Sequence, residues 1–288
     1  MGDISNSFDL GKKIFNGPIE FPGFNIMLNP PKTFFGTFVH WYGIIIAIGL
    51  VLAVFACLRI AKKNDVSEDV VFDMVIFGAP AAVVCARLYY VIFRWDSYKD
   101  RFADIFKIWE GGIAIYGGVI GAVAAVYIYC KVKKIKPFKV IDIGCIGLSL
   151  GQAIGRWGNF VNREAFGSPA SSLVPWRMRI YTDSTLETWA EVHPAFLYES
   201  LWNFGVFFIL INIMKNKKFD GQVFWTYILT YGLGRVWIEG LRTDSLYLGP
   251  VRISQVVALV TAIVAVVMLV IGTKKTKTIQ YDDKNQCE

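Results

Sequence analysis

Seven long apolar runs constrain this 288-residue chain more than any other feature of its sequence. A transmembrane helix needs about 20 predominantly apolar residues, and each run approaches or exceeds that length. With 55% hydrophobic and 18% charged residues, the chain is too apolar for an ordinary soluble domain. We therefore predict an all-α fold, that of a polytopic membrane protein with seven transmembrane helices. The predicted spans are 38–60, 69–93, 112–130, 140–160, 195–213, 222–240 and 251–271.

The segments outside these runs define the predicted domain organisation. Residues 1–37 contain Gly-Pro and Pro-Pro turns and lack a signal-peptide pattern, which indicates an extracytoplasmic or interfacial N-terminal arm. The membrane domain is expected to cover 38–271, with a small extracytoplasmic subdomain in its longest connection, 161–194. Alternating side chains at 176–181 predict a short strand in that connection. Residues 272–288 are expected to form a polar cytoplasmic tail.

The distribution of basic residues predicts how the chain crosses the membrane. Clusters of lysine and arginine follow the first, third, fifth and seventh runs, and short basic loops stay in the cytoplasm. The N-terminus is then outside and the C-terminus inside, which requires an odd number of spans. Because the net charge of +7 is divided among these loops, it gives no indication of nucleic-acid binding.

The cysteines and histidines do not form a recognisable metal-binding pattern. The chain has five cysteines and two histidines, with no C-x-x-C pair and no Cys/His spacing typical of zinc. We therefore expect neither a disulfide framework nor a bound metal.

The stretch 155–167 carries a dense group of polar side chains at the end of an apolar run. At about 100° per residue, Arg156, Asn159 and Arg163 lie within roughly 60° of one another on a helix. Glu164 lies at the side of this group. Placing such residues where a chain leaves a membrane costs free energy, which indicates a function for them. The forked cationic donors of arginine suit a phosphate or a carboxylate. The alternative is an interfacial helix end that is simply polar.

A second polar group ends the sixth run, at 231–244. Arg235, Glu239 and Arg242 share about 60° of one helix face by the same arithmetic. One interpretation is an Arg235–Glu239 ion pair that stabilises helix packing, and this is compatible with a ligand role because a carboxylate can orient an arginine. Arginines from two runs at one membrane face would suit an anionic lipid headgroup.

Four other side chains have two interpretations each. Tyr42 opens the first run and either holds a substrate with its hydroxyl or belongs to an interfacial aromatic belt. Tyr116 lies among glycines whose leading interpretation is close helix packing. The space beside these glycines also allows a substrate-facing hydroxyl of Tyr116. His193 precedes a proline and is either a structural cap or a substrate ligand. Arg87, inside the second run, is expected to pair with a carboxylate or to extend toward the interface.

These motifs occur together in a known order, and over almost its whole length the chain resembles the bacterial prolipoprotein diacylglyceryl transferases. Besides the seven spans, the similar parts are H-W-Y-G at 40–43, W-E-G-G at 109–112, G-R-x-G-N-F-x-N-x-E-x-x-G at 155–167, H-P-x-x-L-Y-E at 193–199 and Y-G-x-x-R-x-x-x-E-x-x-R at 231–242. The resemblance implies an enzyme of the bacterial cytoplasmic membrane with its active site near the extracytoplasmic face.

The activity that the resemblance implies is the first step of bacterial lipoprotein maturation. The diacylglyceryl group of phosphatidylglycerol moves to the lipobox cysteine of a preprolipoprotein, a thioether forms, and glycerol phosphate leaves. Phosphatidylglycerol, lipobox peptides and membrane lipid are then the expected partners. The residues carried over by motif position, together with neighbouring candidates, are Tyr42, Tyr116, Arg156, Asn159, Asn162, Glu164, Gly167, His193, Arg235, Glu239 and Arg242. One departure is Tyr116, because many relatives have a histidine at this position.

The expected mechanism relies on electrostatics and requires no metal or organic cofactor. Arg156 and Arg235 bind the phosphate, Asn159 orients it, and Glu239 holds Arg235, while the cysteine thiolate attacks the glycerol carbon. The rival is a transporter or binding protein that uses the same arginines for an anionic lipid or solute. It predicts repeated or broken helices in matching halves, and the sequence has neither. A lipid phosphatase would need paired histidines in a nucleophile motif, and a purely structural protein leaves the arginines unexplained.

Overall fold

A computed structural model describes residues 15–36, 38–181, 185–242, 247–248 and 251–285 of the chain. The start of the predicted arm, 1–14, and the end of the predicted tail, 286–288, lie outside the described residues. The α-helices are α1 (Trp41–Lys63), α2 (Glu68–Phe93), the single-turn α3 (Trp95–Tyr98), α4 (Ile115–Val132), α5 (Pro137–Asn162), α6 (Ala195–Lys215), α7 (Gln222–Leu241) and α8 (Ile253–Asn285).

The predicted polytopic helical architecture is confirmed in outline. Within the described residues, six helices are long and apolar enough to cross a membrane, namely α1, α2, α4, α5, α6 and the 253–276 part of α8. The predicted run at 222–240 is also a helix, α7, but it falls outside this group. Its apolar character is reduced because it carries Arg235 and Glu239.

Local sequence signals explain where the helices α2 and α5 begin. The hydroxyl of Ser67 accepts a hydrogen bond from the Asp69 amide and caps the start of α2, as serine does at many helix N-termini. Pro137 is the first residue of α5, where its missing N–H carries no penalty. Between their ends, the helices are specified by the long apolar runs.

The prediction of an all-α chain was wrong in one respect, because four short strands form an antiparallel sheet. The strands are β1 (Ile19–Phe21), β2 (Ile26–Leu28), β3 (Met178–Tyr181) and β4 (Trp189–Val192), in the order β2-β1-β3-β4. The short strand predicted at 176–181 is β3. The strands of the N-terminal arm are only three residues long, which is too short for an alternating pattern to be visible in the sequence. A further pair, β5 (Tyr247–Leu248) and β6 (Val251–Arg252), precedes α8.

The sheet has its own apolar core. Ile19 lies opposite Ile180 across the β1–β3 pair, and both are fully buried together with Val192 of β4. Phe160 of α5 and Phe196 of α6 belong to the same buried cluster. The sheet is therefore packed on the end of α5 that carries Arg156 and Asn159, and on the first turn of α6.

The chain divides into two compact units. One contains Val54–Cys145, and the other contains the described residues of Met1–Ala53 and Ile146–Glu288. In the first unit α2 packs on α4, and a Cβ on Gly117 or Gly121 would lie 2.5 Å from atoms of Cys85. These glycines therefore permit close helix approach, which confirms the packing interpretation.

Among the described residues, the hydrogen bonds of Arg87 in α2 go to carbonyl oxygens and none goes to a carboxylate, contrary to one of its two predicted roles. Its Nε donates to the Ile105 carbonyl at 2.8 Å, and Nη2 donates to the Asp104 carbonyl at 2.6 Å. Nη1 donates to the carbonyls of Gly111 and Gly112 at 2.7 and 2.9 Å. The buried guanidinium thus fixes the connection between α2 and α4.

Candidate active site

One carboxylate joins two of the predicted arginines in the unit that contains the C-terminal part of α5 together with α6 and α7. Glu199, in the first turns of α6, is 4% exposed. Its Oε2 lies 2.5 Å from Nη2 of Arg156, on α5. Its Oε1 accepts a hydrogen bond from Nη1 of Arg242 at 3.0 Å. Two cations around one carboxylate leave the group with a net positive charge.

Glu199 is the functional candidate that the sequence reasoning missed. The resemblance includes it only as the last letter of the H-P-x-x-L-Y-E motif at 193–199. A usable signal was nevertheless present, because it is the only acidic residue in the predicted span 195–213. An ionisable residue inside such a span is expected to have a partner or a function.

The polar residues at the end of α5 form a connected group. Oε1 of Glu164 accepts hydrogen bonds from Nδ2 of Asn159 at 3.0 Å and from Nδ2 of Asn162 at 3.3 Å. Nη1 of Arg156 donates to Oδ1 of Asn159 at 3.4 Å, a long contact. The carboxylate of Glu164 therefore orients two amides, one of which also contacts Arg156.

Arg163 does not share the helix face of Arg156 and Asn159, so that prediction was wrong. The helix α5 ends at Asn162, and Arg163 follows with a φ of 57°. Its side chain is buried and donates to backbone and amide oxygens, not to the Glu164 group. Helical spacing fails here because it was extended past the last helical residue.

In the second polar group, at 231–242, two of the three predicted residues also share a helix face and the third lies beyond the helix end. Nη2 of Arg235 lies 2.7 Å from Oε2 of Glu239, which confirms the ion pair at i, i+4 within α7. This oxygen of the buried Glu239 receives no well-aligned hydrogen bond from the described residues. Arg242 was predicted to share their face, but α7 ends at Leu241 and Arg242 has extended backbone. Its guanidinium donates to Glu199 as a result.

Gly167 joins three segments by close backbone contacts. Its amide donates to the His193 carbonyl at 2.8 Å, and it forms an antiparallel bridge with Arg242. A Cβ at this position would lie 2.8 Å from Cβ of His193 and 3.2 Å from the Leu241 carbonyl oxygen, so a larger residue would separate the segments. The ring of His193 finds its partner nearby, since its Nδ1 lies 3.1 Å from the Tyr198 hydroxyl.

The two candidate tyrosines belong to different units of the chain. The ring of Tyr42, which is 37% exposed, packs on Gly158 of α5. A Cβ on Gly158 would lie 2.7 Å from Cδ2 of this ring, which explains the second glycine of the 155–167 motif. Tyr116 lies in the first turn of α4, in the unit Val54–Cys145, and is 46% exposed.

The arrangement is suited to binding an anion. A guanidinium has five N–H donors, and those of Arg156 make contacts only with Glu199 and Asn159 among the described residues. The side chain of Arg156 is 26% exposed, so its free edge can reach a ligand. Among the described residues, no group of three or more His, Cys, Asp or Glu side chains could hold a metal ion.

The fold thus defines a multi-pass helical membrane protein, and the arginines of its candidate site have the donor groups that suit an anionic ligand. The family model of the prolipoprotein diacylglyceryl transferases matches residues 32–271, and the chain belongs to this family. The predicted family is confirmed.

Relatives from several bacteria have similar sequences over most of their length. The chain is 44% identical over 245 residues to the phosphatidylglycerol–prolipoprotein diacylglyceryl transferase of Clostridioides difficile strain 630, covering 85% of this chain and 95% of that protein. It is 45% identical over 251 residues to that of Finegoldia magna, covering 87% and 97%. For that of Bacillus velezensis, the identity is 41% over 254 residues, covering 87% and 92%. The alternative of a transporter or binding protein is not favoured by these similarities.

Proposed function

We propose that this chain transfers the diacylglyceryl group of phosphatidylglycerol to the lipobox cysteine of preprolipoproteins. The products are a thioether-linked diacylglyceryl cysteine and glycerol phosphate. The observation that carries the proposal is the net positive group of Arg156, Glu199 and Arg242 in a chain of this family. Several donors of Arg156 make no contact with any described residue.

In the proposed reaction the thiolate sulfur attacks the phosphate-bearing carbon of the diacylglyceryl unit, and the phosphate leaves with the headgroup glycerol. A C–S bond forms, the C–O bond breaks, and the electron pair leaves on the phosphate oxygen of glycerol phosphate. The proton of the thiol is taken up by solvent or by the leaving phosphate. A free cysteine has a pKa of about 8.5, and nearby arginines lower it, so thiolate forms without a dedicated base.

The chain's own residues stabilise the leaving group and hold it in line. Arg156 and Arg235 neutralise the charge that develops on the phosphate, which is the largest expected contribution to catalysis. Glu199 holds Arg156, and Glu239 holds Arg235, at contact distances of 2.5 and 2.7 Å. Asn159, oriented by Glu164, supplies a neutral donor to the headgroup.

The remaining candidates are proposed to shape the binding site. Asn162 shares the carboxylate of Glu164, and Gly167 lets the segments of His193 and Arg242 approach each other. Tyr42 and Tyr116 are the proposed aromatic contacts of the substrates. No cofactor is required by this scheme.

The proposed topology has seven spans, with α7 as the sixth. Lysine clusters at the ends of α1, α4, α6 and in α8 support a cytoplasmic location for every second connection. A helix of 20 residues is about 30 Å long, which suffices for α7 to span. In this topology the arm (1–37) and the loop subdomain (161–194) are extracytoplasmic. The membrane domain is 38–271, and the tail (272–288) is cytoplasmic.

Purified protein given phosphatidylglycerol vesicles and a lipobox peptide tests the proposed activity. We expect release of glycerol phosphate and a matching mass increase of the peptide, and neither with a peptide whose cysteine is replaced by serine. Release that does not depend on the cysteine, or no release by well-folded protein, would contradict the proposed function.

Reporter fusions test the seventh span separately. A fluorescent reporter placed after residue 217 should be active in the cytoplasm, and alkaline phosphatase placed after residue 244 should be active outside. If both positions report the same side of the membrane, α7 does not span.

A further inference from the structure

The end of α5 is held in a conformation that its sequence does not favour. The Arg163 amide donates to the Phe160 carbonyl at 3.1 Å, and the Glu164 amide donates to the Asn159 carbonyl at 3.0 Å. This is the hydrogen-bond pattern of a Schellman motif, in which the residue after the helix is usually glycine. Here Arg163 and Ala165 have φ values of 57° and 53°, and residues with a Cβ rarely adopt this region. Glu164 therefore lies between two strained residues.

The side chain of Arg163 explains how this backbone is retained. Its Nε donates to the Gly17 carbonyl at 2.7 Å, and its Nη2 donates to Oδ1 of Asn29 and the Pro30 carbonyl, both at 3.0 Å. Its Nη1 donates to the Val161 carbonyl at 2.8 Å. Three of the four acceptors belong to the N-terminal arm, more than 130 residues earlier in the chain.

The environment of this cation is unusual. Arg163 is 4% exposed, and its hydrogen-bond acceptors among the described residues are neutral oxygens. Burial lowers the pKa of Arg163 from its ordinary value. Burying a charge costs free energy unless hydrogen bonds compensate it. The hydrogen bonds of the Arg163 guanidinium therefore hold this charge in place.

We propose that Arg163 is a positioning residue for the transfer reaction, an inference that rests on the function proposed above. Its guanidinium fixes the arm segment 17–30 to the loop 163–167. This fixes the backbone on both sides of Glu164, and the Glu164 carboxylate thereby stays within hydrogen-bonding distance of Asn159 and Asn162. Arg163 itself does not contact the reacting groups.

Glycine variants separate the backbone strain from the clamp, by which we mean the hydrogen bonds from the Arg163 guanidinium to Gly17, Asn29 and Pro30 of the arm. Arg163→Gly removes the guanidinium and also the strain, so the helix end can fold without it. Ala165→Gly removes similar strain and keeps the clamp, which makes it the matched control. Arg163→Lys retains a charge but lacks the planar fork that reaches several acceptors.

Hydrogen–deuterium exchange of the arm provides a test that does not depend on turnover. In Arg163→Gly we expect faster exchange at residues 17–30, with an intermediate rate in Arg163→Lys and no change in Ala165→Gly. Unchanged exchange in Arg163→Gly would refute the clamp.

A double-mutant cycle with Glu164 distinguishes positioning from a purely structural role. We expect Arg163→Gly to lower kcat/KM for glycerol phosphate release about tenfold, as small displacements of binding groups do. Ala165→Gly should retain normal turnover. If Arg163 acts through Glu164, adding Arg163→Gly to Glu164→Gln should cause little further loss. Additive losses, or a lower Tm with unchanged kcat/KM, would overturn the positioning role.

The failure of this inference can be told from the failure of the proposed function. Absence of turnover in the wild-type protein would refute the proposed function and the positioning role together. Normal wild-type turnover with unchanged arm exchange and unchanged kcat/KM in Arg163→Gly would refute the inference alone.

Discussion

The buried Arg87 and the partly exposed Arg156 have different surroundings. Arg87 is 6% exposed and donates to four backbone carbonyls at distances from 2.6 to 2.9 Å. Arg156 is held on one side by the carboxylate of Glu199, and most of its remaining donors have no partner in the part of the chain that the structure describes. Both lie inside apolar helices, where a charge requires a partner or a function.

The difference indicates how to recognise a binding arginine. A guanidinium whose donors are saturated by carbonyls fixes the backbone that supplies them, and has little capacity left for a ligand. A guanidinium oriented by one carboxylate, with an open edge, keeps the forked donors that bind phosphate. We therefore assign a structural role to Arg87 and a substrate-binding role to Arg156 within the proposed function.

The largest expected effect is the loss of transfer in Arg156→Ala. Removing one charged donor to a developing anion lowers kcat by about 10²- to 10³-fold in other enzymes. The Tm should change little, because Glu199 keeps Arg242 as a partner. The measurement is the rate of glycerol phosphate release together with a thermal unfolding curve. Near-normal transfer by a folded Arg156→Ala protein would contradict the proposed role.

The next largest effect is expected for Glu199→Gln, which removes the negative charge between two arginines. Leaving buried cations without their partner destabilises proteins by about 3 kcal/mol or more, and the misplaced Arg156 should also slow transfer. Glu191→Gln is the matched control, because Glu191 accepts from Arg177 and Arg179 on the sheet. The control should lose some stability but keep its turnover. Equal loss of turnover in both variants would count against a specific role for Glu199.

Arg87→Ala should lower stability without affecting the chemistry of the folded protein. Hydrogen bonds from a charged donor contribute about 1.5–3 kcal/mol each, and water can replace only some of them, so we expect about 3 kcal/mol of destabilisation. Unfolding in detergent measures the loss, and kcat/KM is then corrected for the folded fraction. Loss of transfer at unchanged stability would show that the two arginines do not differ as described.

The smallest effect concerns the packing of Tyr42. In Gly158→Ala the new Cβ would lie 2.7 Å from the tyrosine ring, and such overpacking costs about 1–3 kcal/mol. A several-fold decrease in kcat/KM should follow if the ring contacts substrate. Gly43→Ala is the control, because nothing lies within 4 Å of its added Cβ. Similar turnover in both variants would remove Tyr42 from the site.

The sequence predicted the features that depend on local pattern. The apolar runs gave the helices, and the spacing of Arg235 and Glu239 gave an ion pair within one helix. The grouping of Asn159 with Glu164 was visible because the two residues are close in the chain.

The features that the sequence did not reveal depend on helix ends and on distant contacts. The helices α5 and α7 stop one residue before Arg163 and Arg242, so helical spacing placed both side chains on the wrong face. Glu199 pairs with residues 43 positions away on either side, and β1 pairs with a strand about 160 residues later. Such pairings are fixed by tertiary packing, and no local periodicity encodes them.

The most direct test of the difference between the two arginines is the binding of phosphatidylglycerol without peptide. Wild-type protein, Arg156→Ala and Arg87→Ala would be compared at matched folded concentrations. The loss of a charge-assisted hydrogen bond should weaken binding to Arg156→Ala by about tenfold or more. Arg87→Ala should bind like the wild type. Equal weakening in both variants, or weakening only in Arg87→Ala, would contradict the assignment of Arg156 as the headgroup ligand.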